Sequence, residues 1–194
     1  MLRTAQHSLF LFGLLLACVV AYAQPEWVVN RGQWPANVAF QTRIPAGVLW
    51  TEHAGFTYQL FNEDELNKLH GTRVNGDEEL LHGHTFRVRF VNGNAQSVFG
   101  QEEKRHYYNY YTSPDPAHQA SHCAVYGRAQ LSEVYAHVDV HLYSAGNALK
   151  YDWVVHPGGR VSDIRVAYDD VQVSLVHREG GSELVLHTSV RSEE

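Results

Sequence analysis

The residues with the strongest claim to chemistry are His137, Asp139 and His141, which alternate with valine in YAHVDVHLYSAGNALKYDW, Tyr135 to Trp153. Two imidazoles and a carboxylate are a donor set for zinc or another transition metal. Strand geometry limits that reading. Residues two apart on a strand stand about 6.6 Å from each other and residues four apart about 13 Å, so His137 and His141 cannot share one ion without a sharp bend. Asp139 with one of them, helped across a hairpin by His156 or Asp152, is the most the spacing permits. Asp139 and Asp152 are also a candidate carboxylate pair for glycoside hydrolysis. Against both stands a plainer reading, which is adopted here: His141 hydrogen-bonds Asp152 on a polar sheet face, with no catalytic residue, no metal ligand and no cofactor.

The element that positions these side chains is a hairpin. Gly146-Asn147 suits a two-residue type II′ turn, because glycine takes the central position that needs positive φ. Counting outward pairs Val138 with Val155, Val140 with Trp153, Leu142 with Tyr151 and Ser144 with Leu149, an almost wholly apolar side. The other side pairs His137 with His156, Asp139 with Val154, His141 with Asp152 and Tyr143 with Lys150. A one-residue slip would mix the two sets, so the pattern supports the register. His137, Asp139, His141, Tyr143, Lys150 and Asp152 form the candidate binding surface.

Other chemistry-bearing stretches are weaker. His82-Gly83-His84 has no acidic partner at a ligand spacing. HYYNYYTSPDP, His106 to Pro116, carries four tyrosines around Asn109 that can stack on sugar rings; the reading preferred here is a strand burying alternate rings, followed by a Ser-Pro-Asp-Pro turn.

Apolar residues recur elsewhere with period two. Phe56, Tyr58 and Leu60, and Phe86, Val88 and Phe90, mark half-buried strands, and further strands are expected at Val38 to Thr42, Val48 to Thr51, Ile164 to Tyr168, Val171 to His177 and Glu183 to Thr188. The last two read as a hairpin closed by Gly180-Gly181, with Arg178 opposite Glu183 and Leu175 opposite Leu186. The fold class is all-β, an antiparallel β-sandwich-like domain built from hairpins with little helix. Residues 62–83, NEDELNKLHGTRVNGDEELLHG, are expected to be a charged surface insertion with one short helical turn. No repeat at a fixed period supports a solenoid or a complete propeller.

At the start, Arg3, the apolar run Leu9 to Val20 and Ala21-Tyr22-Ala23 have the layout of a secretory signal peptide cleaved after Ala23. The rival, a lipoprotein box at Leu15-Leu16-Ala17-Cys18, puts a bulky Leu16 where a small residue is preferred. Residues 24–194 then form one domain with no membrane span. Cys123 is its only cysteine, so no internal disulfide is expected, and the reading taken is a small buried apolar residue. The formal charge of -6, without a basic stripe, argues against nucleic acid. At the other end, Arg191-Ser-Glu-Glu follows with no closing strand, so the domain is expected to be C-terminally incomplete.

The motifs NRGQWPANVAF from Asn30, YYNYYTSPDP from Tyr107, VYAHVDVHLY from Val134 and LKYDWVVHPGGRVSDIRVAYDD from Leu149 together resemble an N-terminal domain of unknown function found in exported multi-domain proteins of Bacteroidota. The resemblance implies a secreted or cell-surface module that precedes SBBP-type β-propeller repeats, immunoglobulin-like modules and a gliding-motility-associated C-terminal sorting domain of type IX secretion. It implies no established catalytic residues. Asp139, Tyr151, Asp152, Pro157 and Gly158 match recurrent positions, whereas His137 and His141 stand where glycine and other non-ligand residues are usual, and Gln119 stands near an expected tryptophan. The expected function is scaffolding, adhesion or ligand binding, with a glycan or surface protein and the downstream domains as partners. The alternative is a glycan-active hydrolase or metal-binding enzyme using the His/Asp face of the 137–156 hairpin.

Overall fold

The computed structural model describes residues 24–71, 80–111, 113–146 and 148–190. The proposed signal peptide lies outside the described residues, as does Asn147 of the hairpin turn. Among the described residues the strands are β1 (Trp27–Val29), β2 (Val38–Ile44), β3 (Gly47–Glu52), β4 (Gly55–Phe61), β5 (Gly83–Phe90), β6 (Ser97–Tyr110), β7 (Ala120–Tyr135), β8 (Val138–Ala145), β9 (Ala148–Val155), β10 (Val166–Asp169), β11 (Gln172–Arg178) and β12 (Gly181–His187), with one α-helix, α1 (Glu63–Gly71).

Ten strands make one antiparallel sheet in the order β10-β5-β4-β3-β2-β1-β7-β8-β9, with β6 also paired to β7; β11 and β12 form a separate two-stranded sheet. The fold is all-β, as the period-two pattern predicts. Its sandwich-like packing comes from that sheet curling on itself. Phe56 of β4 meets Tyr151 of β9 at 5.5 Å between ring centroids, and Phe90 of β5 meets Trp153 of β9 at 5.0 Å, so strands far apart in the sheet order face each other across the core. The alternating inward side chains, among them Phe40, Leu49, Phe56, Phe86, Val88, Leu131, Val140 and Leu142, are buried there. Each contributes about 1.5–3 kcal/mol of hydrophobic stabilisation. A smaller cluster of Val28, Ala120, Cys123 and Val125 is packed by Trp34 and Tyr110. Cys123 is fully buried in it as a free thiol, and burial pushes its pKa up, against the opposing charge of Arg31 and a hydrogen bond from Gln33.

Two expectations need correction. The charged insertion contains a nine-residue helix in place of a single turn. Asn62 caps it by accepting the Glu65 N–H at 3.1 Å, and Glu63, Asp64 and Glu65 place negative charge in its first turn, which the helix dipole favours. The C-terminal hairpin pairs Arg178 with Gly181 and Leu175 with Leu184, two residues away from the expected register. The turn is centred on Glu179-Gly180, where Gly180 takes φ +97°, so the second glycine is free to start β12. An even slip leaves every side chain on its face, and Arg178 Nε still donates to Glu183. No helix among the described residues is long and apolar enough to cross a membrane.

Candidate functional site

The β8–β9 hairpin has the expected register throughout, from Val138 opposite Val155 to Ser144 opposite Leu149. Gly146 has φ +63°, as a glycine-first tight turn requires. Val138, Val140 and Leu142 are buried on one side, with Tyr151 and Trp153 packed against the same core.

On the other side, Asp139 is only 8% exposed. Its environment follows from an irregularity in β7. The β7–β8 ladder runs from Leu131 opposite Val140 directly to Tyr135 opposite Val138, so extra residues bulge out of β7. Glu133 sits in that bulge with φ +51°, and its N–H, which has lost its ladder partner, donates to Asp139 Oδ1 at 2.8 Å. Asp139 Oδ2 accepts from Gln130 Nε2 at 3.0 Å and from His156 Nε2 at 3.0 Å. Glu133 in turn accepts the N–H of His137, itself at φ +60°, at 3.0 Å. His156 N–H donates to the His137 carbonyl at 2.9 Å, and Gly159 N–H to the His156 carbonyl at 2.9 Å. A Cβ on Gly159 would lie 2.6 Å from that His137 carbonyl oxygen, so HPGG (156–159) and YAHVD (135–139) close on each other where only glycine fits. Burial alone would raise the Asp139 pKa. The Glu133 N–H, the hydrogen bond and charge of His156, and the charge of His141 outweigh it and hold the carboxyl below its usual range.

The rest of the face forms a polar hollow of about 190 Å³ lined by Gln101, Arg128, His141, Tyr143 and Asp152, among others. The expected bond between His141 and Asp152 is not made. The Asp152 carboxylate beside the Tyr143 hydroxyl raises the tyrosine pKa, while among the described residues His141 Nε2 is buried without a hydrogen-bond partner. The imidazole that meets a carboxylate here is that of His156. The structure therefore brings Asp139 together with His156, and His141 with Tyr143 and Asp152. His137 lies apart beside Gly158, and Lys150 is exposed on β9. Among the described residues no group of three or more His, Cys, Asp or Glu side chains is placed to hold a metal ion. Sequence reasoning missed Gln130 and Glu133, because a bulge leaves no trace in hydrophobic periodicity. It also missed the acidic partner of His82, which is Glu65 at 2.8 Å across seventeen residues of chain.

The tyrosine run corrects another expectation: its rings are not alternately buried. Tyr107, Tyr108 and Tyr111 are 49%, 42% and 64% exposed. Glu102 at φ +59° and a register shift between Glu103 and Tyr107 distort β6; at its far end Tyr110 meets Trp34 at 5.1 Å and Tyr107 stacks on His122 at 4.4 Å.

A family model described as Domain of unknown function (DUF7948) matches residues 27–193. The chain belongs to this family. No curated protein and no solved structure gives a significant match. The DUF7948 span runs from the first strand through the last, and it contains the whole bulge–hairpin lock built on Asp139.

Proposed function

We propose that this DUF7948 chain is a non-catalytic β-module of an exported surface protein, with a scaffolding, adhesion or ligand-binding role. The observation that carries the reading is the state of Asp139. Both oxygens are engaged by the Glu133 N–H, Gln130 and His156, and the residue is nearly buried, so the carboxylate is occupied in holding a turn. General acid–base work and metal ligation both need lone pairs that reach substrate or ion. The leader-like residues 1–23 support export, and the order of motifs supports a place ahead of propeller repeats and a sorting domain in a Bacteroidota surface protein. The hollow beside Tyr143 and Asp152 is the candidate contact surface on this hairpin for a glycan or protein partner.

The test is elemental analysis of untagged protein, together with Asp139→Asn and Asp152→Asn variants assayed for stability and for glycoside hydrolysis. The expected result is no stoichiometric ion, no turnover above buffer, a destabilised Asp139→Asn and a normally folded Asp152→Asn. A stoichiometric ion that disappears from a fully stable Asp139→Asn protein overturns the proposal.

A further inference from the structure

A groove of about 170 Å³ lies between β1–β2 and the far end of β6, lined by Tyr108, Tyr110, Gln41, Arg43 and Glu26, among others. It shares no residue with the hairpin hollow. We infer that this groove is a subsite for one ring of a neutral carbohydrate, with Tyr108 as the stacking platform and Gln41, Arg43 and Glu26 as the hydroxyl partners.

Three independent features converge on it. Tyr108 is exposed on a strand whose core-facing work is done elsewhere, and a tyrosine left in water offers a flat apolar face with a polar tip, the shape that meets the CH face of a sugar. The backbone carries distortions on either side of the tyrosine end: Glu102 at φ +59° in β6, the register shift before Tyr107, and His122 at φ +54° in the facing strand β7. Bulges of this kind re-aim side chains and cluster near binding sites. Finally, the polar tips in the groove are available. The side chains of Gln41 and Arg43 have no hydrogen bond or ion pair among the described residues, while Glu26 is steadied by His106 Nε2 at 3.1 Å. Aromatic faces beside the Gln41 amide, the Arg43 guanidinium, whose charge also acts on Tyr110, and an oriented carboxylate match a ligand that alternates apolar CH groups with hydroxyls.

Charge selects the neutral class. Arg43 and Glu26 carry opposite charges within the groove, whose lining also includes Gln24 next to the proposed cleavage point, and the chain's net charge of -6 repels polyanions at long range. At about 170 Å³ the groove lies below the range of about 300–1,000 Å³ that encloses a drug-sized ligand, which limits the occupant to about one ring.

The test is native affinity electrophoresis of the full chain in gels containing hydroxyethylcellulose, galactomannan, xylan or laminarin, with polygalacturonate as the acidic comparison. Retardation is expected in at least one neutral matrix. Tyr108→Ala should weaken it at least tenfold, Arg43→Ala severalfold, and Tyr108→Phe, which keeps the ring, little. Thermal melts of each variant separate lost binding from lost fold. Retardation in no neutral matrix, retardation by polygalacturonate alone, or an unchanged Tyr108→Ala overturns the inference. If Tyr143→Phe abolishes retardation while Tyr108→Ala does not, sugar binding belongs to the hairpin hollow; the groove is then refuted and the proposed function stands.

Discussion

Replacing Asp139 by asparagine changes few atoms and asks whether this carboxylate is a structural pin. Asparagine keeps one acceptor oxygen. Turned toward Gln130 and His156, it presents its NH2 to the Glu133 N–H, leaving two donors face to face in a nearly buried site. One unsatisfied buried donor costs about 1–3 kcal/mol, and losing the charge assistance on the remaining bonds adds about 1 kcal/mol. The sum, about 3 kcal/mol, is a large share of the stability of an ordinary domain. With a urea dependence of about 2 kcal/mol per molar, the unfolding midpoint should fall by about 1.5 M. The pH dependence gives a second check. The Asp139 pKa is depressed in the folded state, so its contribution is fully present above the ordinary carboxylate pKa and is lost as pH falls through the folded value. The gap between wild type and variant should shrink as pH drops below about 4. A midpoint within about 0.3 M of wild type, or a gap that ignores acid, refutes the argument that Asp139 holds the bulge.

Gly159→Ala should destabilise by about 2 kcal/mol or more in the same urea titration, because its Cβ would meet the His137 carbonyl oxygen at 2.6 Å and backbone must move. Leu142→Ala removes a side chain that is 1% exposed and should cost about 2–5 kcal/mol by denaturant melt. Leu175→Thr, on the open face of the β11–β12 sheet, should change stability by no more than about 0.5 kcal/mol in that assay. Cys123, buried and with its thiol pKa pushed up, should resist a disulfide-exchange reagent in the native protein and react only once urea unfolds it, followed by absorbance.

How far the sequence carries depends on the type of signal. The β8–β9 register was readable because two apolar sets flank one tight turn, and a slip of one residue would expose Val138, Val140 and Leu142. The β11–β12 register was not, because Gly180 and Gly181 offer adjacent turn positions and a shift by two preserves both faces. The length of β6 went beyond the expected tyrosine strand: GQEEKRH has no period-two apolar pattern, and the stretch is strand because it lies along β7. Helix α1 outgrew the single turn expected of its charged stretch, with Asn62 capping it through the Glu65 N–H above an acidic first turn. At the candidate site, the residue types and the shared face followed from period two. The actual partners did not, since Asp139 bonds to Gln130, Glu133 and His156 only because β7 leaves the regular ladder between Leu131 and Tyr135.

The position of β1 bears on the order of assembly. Trp27 pairs with Thr42 on one flank and with Tyr126 on the other, a partner about a hundred residues further along. During synthesis the leading segment can form β2, β3 and β4 as local hairpins, but one side of β1 stays unpaired until β7 has been made. Closure is then a late, long-range event whose rate is governed by loop entropy. Until it occurs, the growing polypeptide presents an open strand to chaperones and to neighbouring chains.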